Sequence, residues 1–265
     1  MELRGKTVLL TGATGGLGRA IAAVLAERGA TMVLSSRREQ ELGELAGTLA
    51  GEGHHWVVAD LANEGATEEL AAAAGDVDVL VANAGIPAGG RLERLAPEEV
   101  ERALRVNLTA PVRLTRDLLP GMRERGAGQL VFISSLQAKA ALPRSSLYSA
   151  TKFGLRGFAL SLRQDLAGTG VGASVVLPGF VRDAGMFAES GSKAPLGLGT
   201  VSPRQVGEAV ADAIERDRAE VHVAPVMLRL AVAIAHRRPH LAARVTGRRA
   251  GKVADKVIEG QADKR

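Results

Sequence analysis

Residues 7–18 read TVLLTGATGGLG, and a helix-forming run, RAIAAVLAERG, follows directly at 19–29. An apolar strand that ends in a glycine cluster and opens a helix is the first crossing of a βαβ unit. There the glycines let the backbone turn tightly and approach a pyrophosphate, which then sits on the N–H groups and positive dipole end of the helix. Glycine turns between strand and helix are common, so the cluster gains its weight from a repeating strand–helix context. Its spacing fits T-G-x-x-x-G-x-G through Gly12, Gly16 and Gly18, and equally T-G-x-x-G-x-x-G through Gly12, Gly15 and Gly18. The glycines alone leave both open.

The context does repeat. Short β-rich runs, TMVLSS (31–36), HWVVAD (55–60), VDVLVANAG (77–85), GQLVFISS (128–135), GASVVLPG (172–179) and EVHVAP (220–225), alternate with Ala/Leu/Arg-rich stretches of helical length. Most are continuously apolar, as parallel strands buried on both faces should be. The expected fold is therefore α/β: one Rossmann-like, doubly wound parallel sheet of about seven strands flanked by helices, spanning residues 1–225. Residues 183–202, rich in Gly and Ser, read as a substrate lid.

The 265 residues carry 46% hydrophobic and 24% charged side chains, ordinary for a globular protein. No apolar run is long enough to span a bilayer, and the first residues lack the order of a signal peptide. Zero cysteines exclude disulfides, thiolate catalysis and cysteine metal sites. A cytoplasmic protein fits these features. The net charge of +5 is uneven: residues 226–265 hold ten Lys/Arg against three Asp/Glu, and the other 225 residues hold 24 against 26. This basic extension has no aromatic residue for stacking, so nucleic acid is not the expected partner. Its start, MLRLAVAIAHRR (227–238), reads first as a helix packed on its own domain or a sister subunit. A weak membrane-surface contact is the second reading.

At the end of the second strand an NAD-type site places an acid on the ribose 2′-hydroxyl. Here Ser36, Arg37 and Arg38 stand there, and a guanidinium can bind a 2′-phosphate with charge-assisted bonds. NADP(H) is thus expected over NAD(H). Tyr148 is the only tyrosine, and Lys152, one of seven lysines beside 27 arginines, follows one helical turn later. An ammonium several ångströms from a phenol favours the phenolate by roughly 3–4 kcal/mol at an effective dielectric near 20. Tyr148 is therefore expected to be more acidic than an ordinary tyrosine. The five histidines, with no carboxylate pair nearby, form no zinc site.

Taken in order, these motifs resemble the short-chain dehydrogenase/reductase family from about Thr7 to Pro225. TGATGGLG resembles its cofactor turn, which brings in Thr11, Gly12, Thr14, Gly15, Gly16, Leu17 and Gly18. Asp60 and Leu61 resemble the adenine contact. ANAG contributes Asn83, Ala84 and Gly85, with Asn83 holding the central sheet, and Pro178, Gly179 and Val181 match the turn beside the nicotinamide. The chain's length favours the family's shorter branch, since the longer epimerase/dehydratase type needs a larger C-terminal domain. The resemblance implies a catalytic set of Asn107, Ser135, Tyr148 and Lys152. Ser135 would bond the substrate oxygen, Tyr148 exchange its proton, Lys152 hold the ribose and tune Tyr148, and Asn107 anchor a water. It implies hydride transfer between nicotinamide and a carbonyl or alcohol substrate, in a homodimer or homotetramer. One departure stands out: Arg182 and Asp183 occupy the place where the family often has a carboxamide-binding threonine. The apolar lid residues Met186, Phe187, Leu196 and Leu198 suggest an apolar substrate.

Overall fold

The computed structural model describes residues 1–191, 194–195 and 197–240. Seven strands, β1 (Thr7–Thr11), β2 (Thr31–Ser36), β3 (His55–Val58), β4 (Val79–Ala82), β5 (Gly128–Ile133), β6 (Val171–Pro178) and β7 (Glu220–Val223), form one sheet. Their order is β3-β2-β1-β4-β5-β6-β7, and every pairing is parallel. Nine α-helices accompany them among the described residues: α1 (Gly16–Glu27), α2 (Glu39–Thr48), α3 (Ala66–Ala74), α4 (Pro97–Leu104), α5 (Ala110–Glu124), α6 (Ser146–Asp165), α7 (Gly185–Glu189), α8 (Pro203–Glu215) and α9 (Val226–Arg237). The doubly wound sheet expected from the strand–helix alternation is present.

Two apolar layers sandwich the sheet. On one side Ile21, Val24 and Leu25 of α1 and Val206, Val210 and Ile214 of α8 pack on Val8, Leu10 and Val131. On the other, Leu114 and Leu118 of α5 and Leu155 and Ala159 of α6 pack on Leu9, Leu80 and Phe132. Successive residues of one strand thus serve opposite layers, which is why a run such as VLL must be apolar throughout. Phe132 is fully buried and meets Phe158 of α6 edge-to-face, with ring centroids 5.4 Å apart. Truncating such a side chain typically costs about 3–5 kcal/mol.

Three departures follow from tertiary context. β3 lies at the sheet's edge, so Trp56 and Val58 stay 41% and 48% exposed instead of being covered on both faces. β4 stops at Ala82, which frees residues 83–85 to leave the sheet. Within 183–202 the chain forms the short helix α7 and a single bridge between Val181 and Val201. Leu196, and the basic extension beyond residue 240, lie outside the described residues. α9 ends at Arg237, ahead of Pro239, and lays Leu228 and Val232 into the second apolar layer. The strand order reverses between β1 and β4, so the carboxyl ends of those strands flank a crevice.

Candidate active site

At that crevice Gly12 adopts φ +63°, and a Cβ there would come within 2.8 Å of Ala84 Cα. A Cβ on Gly18 would strike the Gly12 carbonyl at 2.2 Å. The turn therefore admits only glycine at both places. Thr11 Oγ1 accepts the amides of Asn83 and Ala84, each at 3.1 Å, and Asn83 Nδ2 donates to the carbonyls of Thr11 (3.0 Å) and Gly12 (3.2 Å). The segment leaving β4 thus splints the glycine turn. Gly15 precedes α1 and offers no side chain to cap it, and no acid lies in its first turn. The orphan amides of that turn face the crevice entrance, a cradle whose chemistry fits a dinucleotide phosphate. Ala184 and Gly185 pack on Gly16 and Leu17, so the start of the 183–202 segment lies against the same turn.

The two arginines after β2 differ. Arg38 is committed: its guanidinium donates to Thr14 Oγ1 (2.9 Å) and the Thr14 carbonyl (3.1 Å) and pairs with Glu41 at 2.8 Å. Its backbone amide donates to Ser36 Oγ at 3.1 Å. Arg37 is 3.8 Å from Asp60 and half exposed. Asp60 also accepts the amide of Ala62 at 3.0 Å, which shapes the turn through Leu61. Of the pair, Arg37 keeps the guanidinium that a 2′-phosphate could engage with least rearrangement.

On the other side of the crevice, Ser135, Tyr148 and Lys152 come together. α6 is held at its start by Tyr148 N–H donating to Ala88 O (3.2 Å) and by Thr151 Oγ1 donating to Tyr148 O (2.8 Å). Ser134 Oγ donates to Lys152 O at 3.0 Å, tying β5 to α6. Ser135 Oγ instead accepts the amide of Gln137 at 3.1 Å and is near enough to Tyr148 to lower the phenol's pKa. The two neighbouring serines thus serve different partners, as side chains that alternate along an extended chain should.

The electrostatics differ from the sequence-based expectation. Burial pushes the Tyr148 phenol up to about 12, against which the nearby Ser135 hydroxyl pulls downward. Burial also brings Lys152 down to about 8. The Lys152 ammonium donates to Ile133 O at 3.0 Å and lies 5.7 Å from the Tyr148 ring centroid. Desolvation of both groups outweighs their mutual attraction, so Tyr148 is a weaker acid than an exposed tyrosine.

Asn107 is buried. It sits in a π-helical turn, Arg105–Thr109, between α4 and α5. Its Oδ1 accepts Ile86 N–H at 2.8 Å and its Nδ2 donates to Ile86 O at 2.9 Å. Both ends of the amide fix the backbone just past Gly85. Extra width in a π turn commonly marks functional positions, and here it aims the amide inward.

Beyond Gly179, Arg182 pairs with its neighbour Asp183 at 3.3 Å, and Asp183 takes φ +67°, unusual for a non-glycine residue. Phe187 rests on Phe180, centroids 4.8 Å apart. A cavity of about 570 Å³ opens between Arg182, Asp183, Phe187 and Thr200. None of Ser135, Tyr148 or Lys152 lines it, so it belongs to the 183–202 segment and not to the cluster those three residues form. Sequence reasoning missed one contributor. Glu220 bonds Lys139, just past Ser135, at 3.0 Å, and Arg156, one turn past Lys152, at 2.5 Å. The three are 64 and 81 residues apart in the chain, so no local signal joins them.

The short chain dehydrogenase family model matches residues 6–195. Ketoacyl reductase HetN of Nostoc sp. is 40% identical over 227 residues, covering 83% of this chain and 79% of that one. Dehydrogenase/reductase SDR family member 7B of Mus musculus is 34% identical over 267 residues, 94% of this chain and 83% of that one. A solved structure of actinorhodin polyketide ketoreductase with NADPH superposes with a TM-score of 0.77 at 32% identity, covering 84% of this chain and 97% of that one. On the match over residues 6–195 and the shared fold, the chain belongs to the short-chain dehydrogenase/reductase family of oxidoreductases.

Proposed function

We propose that this chain is an NADPH-dependent ketoreductase that converts a carbonyl on an apolar, acyl-type substrate to an alcohol. The observation that carries the reading is the buried Lys152 ammonium 5.7 Å from the Tyr148 ring centroid, with the Ser135 hydroxyl near enough to lower the phenol's pKa. Bound NADPH supplies the hydride. Ser135 donates a hydrogen bond to the substrate oxygen, and Tyr148 gives that oxygen its proton as negative charge develops there. A phenol held near 12 stays protonated at every physiological pH and is thus ready as an acid. The cost of leaving a phenolate falls to Lys152, whose positive charge on the same helix face offsets it. Asn107 keeps the Ile86 backbone, and with it the floor of the site, in place.

The NADPH preference rests on Arg37, on the absence of an acid at Ser36, and on the NADPH-bound relative. The acyl-type substrate is favoured by the ketoacyl reductase relative and by the apolar residues Phe180, Phe187 and Leu228 around the Pro178–Gly179 turn. Absorbance at 340 nm, followed with NADPH and a panel of ketones, aldehydes and β-ketoacyl thioesters, tests the reading. Turnover greatest with the thioesters is expected. Tight NADPH binding with no turnover across the panel would instead make the chain a nucleotide-sensing module.

A further inference from the structure

α9 is apolar on nearly all sides, yet only one side is covered. Leu228 and Val232 enter the second apolar layer, whereas Val226, Met227, Leu230 and Ile234 remain 66%, 60%, 52% and 58% exposed. At 100° per residue these four fall on one arc of the helix. Half of the large exposed hydrophobic side chains among the described residues lie on this one helix. No acid interrupts it, and exposed Arg229, Arg237 and Arg238 border the arc. Residues 226–265 add up to ten Lys/Arg against three Asp/Glu, so the whole extension is positive.

The helix also sits beside the site. Leu228 packs over Gly179, Pro225 at the helix start packs over Gly199 of the lid segment, and His236 pairs with Lys139 O at 3.1 Å. We propose that this face of α9 docks on an anionic lipid surface, placing the lid and the crevice mouth against the membrane interface. The chemistry matches on both counts: an apolar arc of four side chains to enter the headgroup boundary, and flanking guanidiniums to meet lipid phosphates. A second copy of the chain fits less well. A stable interface takes about 20–30 residues a side, whereas the arc offers four, and two such faces would bring like charges together. The inference concerns binding alone and stands whether or not the proposed reaction is correct.

Co-sedimentation of the full chain with vesicles tests it, using phosphatidylcholine alone and phosphatidylcholine with about a third phosphatidylglycerol. Each basic residue near an anionic surface contributes roughly a fivefold factor. Binding to the anionic vesicles is expected, at least about tenfold weaker for Leu230→Ser/Ile234→Ser and for Arg229→Gln/Arg237→Gln/Arg238→Gln, and weakened by salt. Both variants alter exposed positions, and circular dichroism checks that they fold. Equal binding to both vesicle types, no binding to either, or unchanged binding of Leu230→Ser/Ile234→Ser overturns the proposal. So does loss of self-association in that variant on size-exclusion chromatography, which would make a second copy the occupant.

Discussion

Lys152 holds its ammonium 5.7 Å from the centroid of the Tyr148 ring while donating to the Ile133 carbonyl, so the two side chains share one enclosed space without a direct bond. Enclosure weakens both as ions: the phenol rises to about 12 and the ammonium falls to about 8. The arrangement suits a proton donor whose conjugate base exists only briefly. It also makes the lysine, not the tyrosine, the group that titrates near physiological pH.

Stability should record that lysine. Between pH 8 and its ordinary value of 10.5, the unfolded chain binds a proton that the folded chain does not, so stability rises with pH across the interval. Below pH 8 the folded protein bears the full cost of burying the ammonium, on the order of 3 kcal/mol. Tyr148 acts the opposite way, but only above pH 10, where the unfolded phenol ionises first. Lys152→Met is therefore expected to be more stable than the parent at pH 7, with the gap closing by pH 10. Urea midpoints at pH 7, 8, 9 and 10 measure this, and a gap independent of pH contradicts it.

Activity should follow the same group. On the proposed mechanism reduction leaves a phenolate at Tyr148, which a charged Lys152 stabilises and a neutral one does not. For carbonyl reduction kcat/KM is expected to fall as pH rises through about 8, by about tenfold per unit once the decline is established. A profile flat to pH 10 would remove Lys152 from that role.

Cofactor choice should reside in Arg37. Arg38 is bound to Thr14 and Glu41, whereas Arg37 has only a loose pairing with Asp60. A charge-assisted bond to a 2′-phosphate, discounted for a half-exposed side chain, corresponds to about tenfold in affinity. Arg37→Ala is expected to raise the NADPH KM by about that factor and leave the NADH KM nearly unchanged. Parallel changes for both cofactors contradict the assignment.

Glu220 should act as a strut. Burial pushes its carboxyl up, but bonds from His222, Arg156 and Lys139 outweigh that and hold it well below the usual carboxylate range. Its contribution is present above the ordinary carboxylate pKa of 4.5 and is lost as pH falls below that. Glu220→Gln is expected to cost about 2 kcal/mol at pH 7, an upper-range value for a partly exposed cluster. The difference from the parent should shrink during acid unfolding. An equal penalty at pH 3 and pH 7 would contradict this.

What the sequence disclosed, and what it hid, divides by the range of the interaction. The glycine turn and the Tyr148–Lys152 spacing are local, each set within one turn of chain, and both were readable. The seven parallel strands were readable because double burial demands continuous apolar runs. The exposure of Trp56 was not, because an edge position is decided by strand order and not by the run itself. The hold of Asn107 on Ile86 depends on a π turn, and Glu220 gathers partners from α6 and from the segment after β5. The desolvation of Tyr148 is hidden from the sequence for a related reason. Charge spacing is visible in a sequence, but the desolvation that opposes it arises only once the layers close.

The most direct test of the account is Tyr148→Phe, which removes one oxygen and keeps the ring. With NADPH affinity followed by fluorescence and folding by circular dichroism, both should stay within about threefold of the parent. Meanwhile kcat/KM for carbonyl reduction should fall by roughly 100-fold or more, the usual worth of a general acid. Turnover within a few-fold of the parent would show that the proton comes from elsewhere.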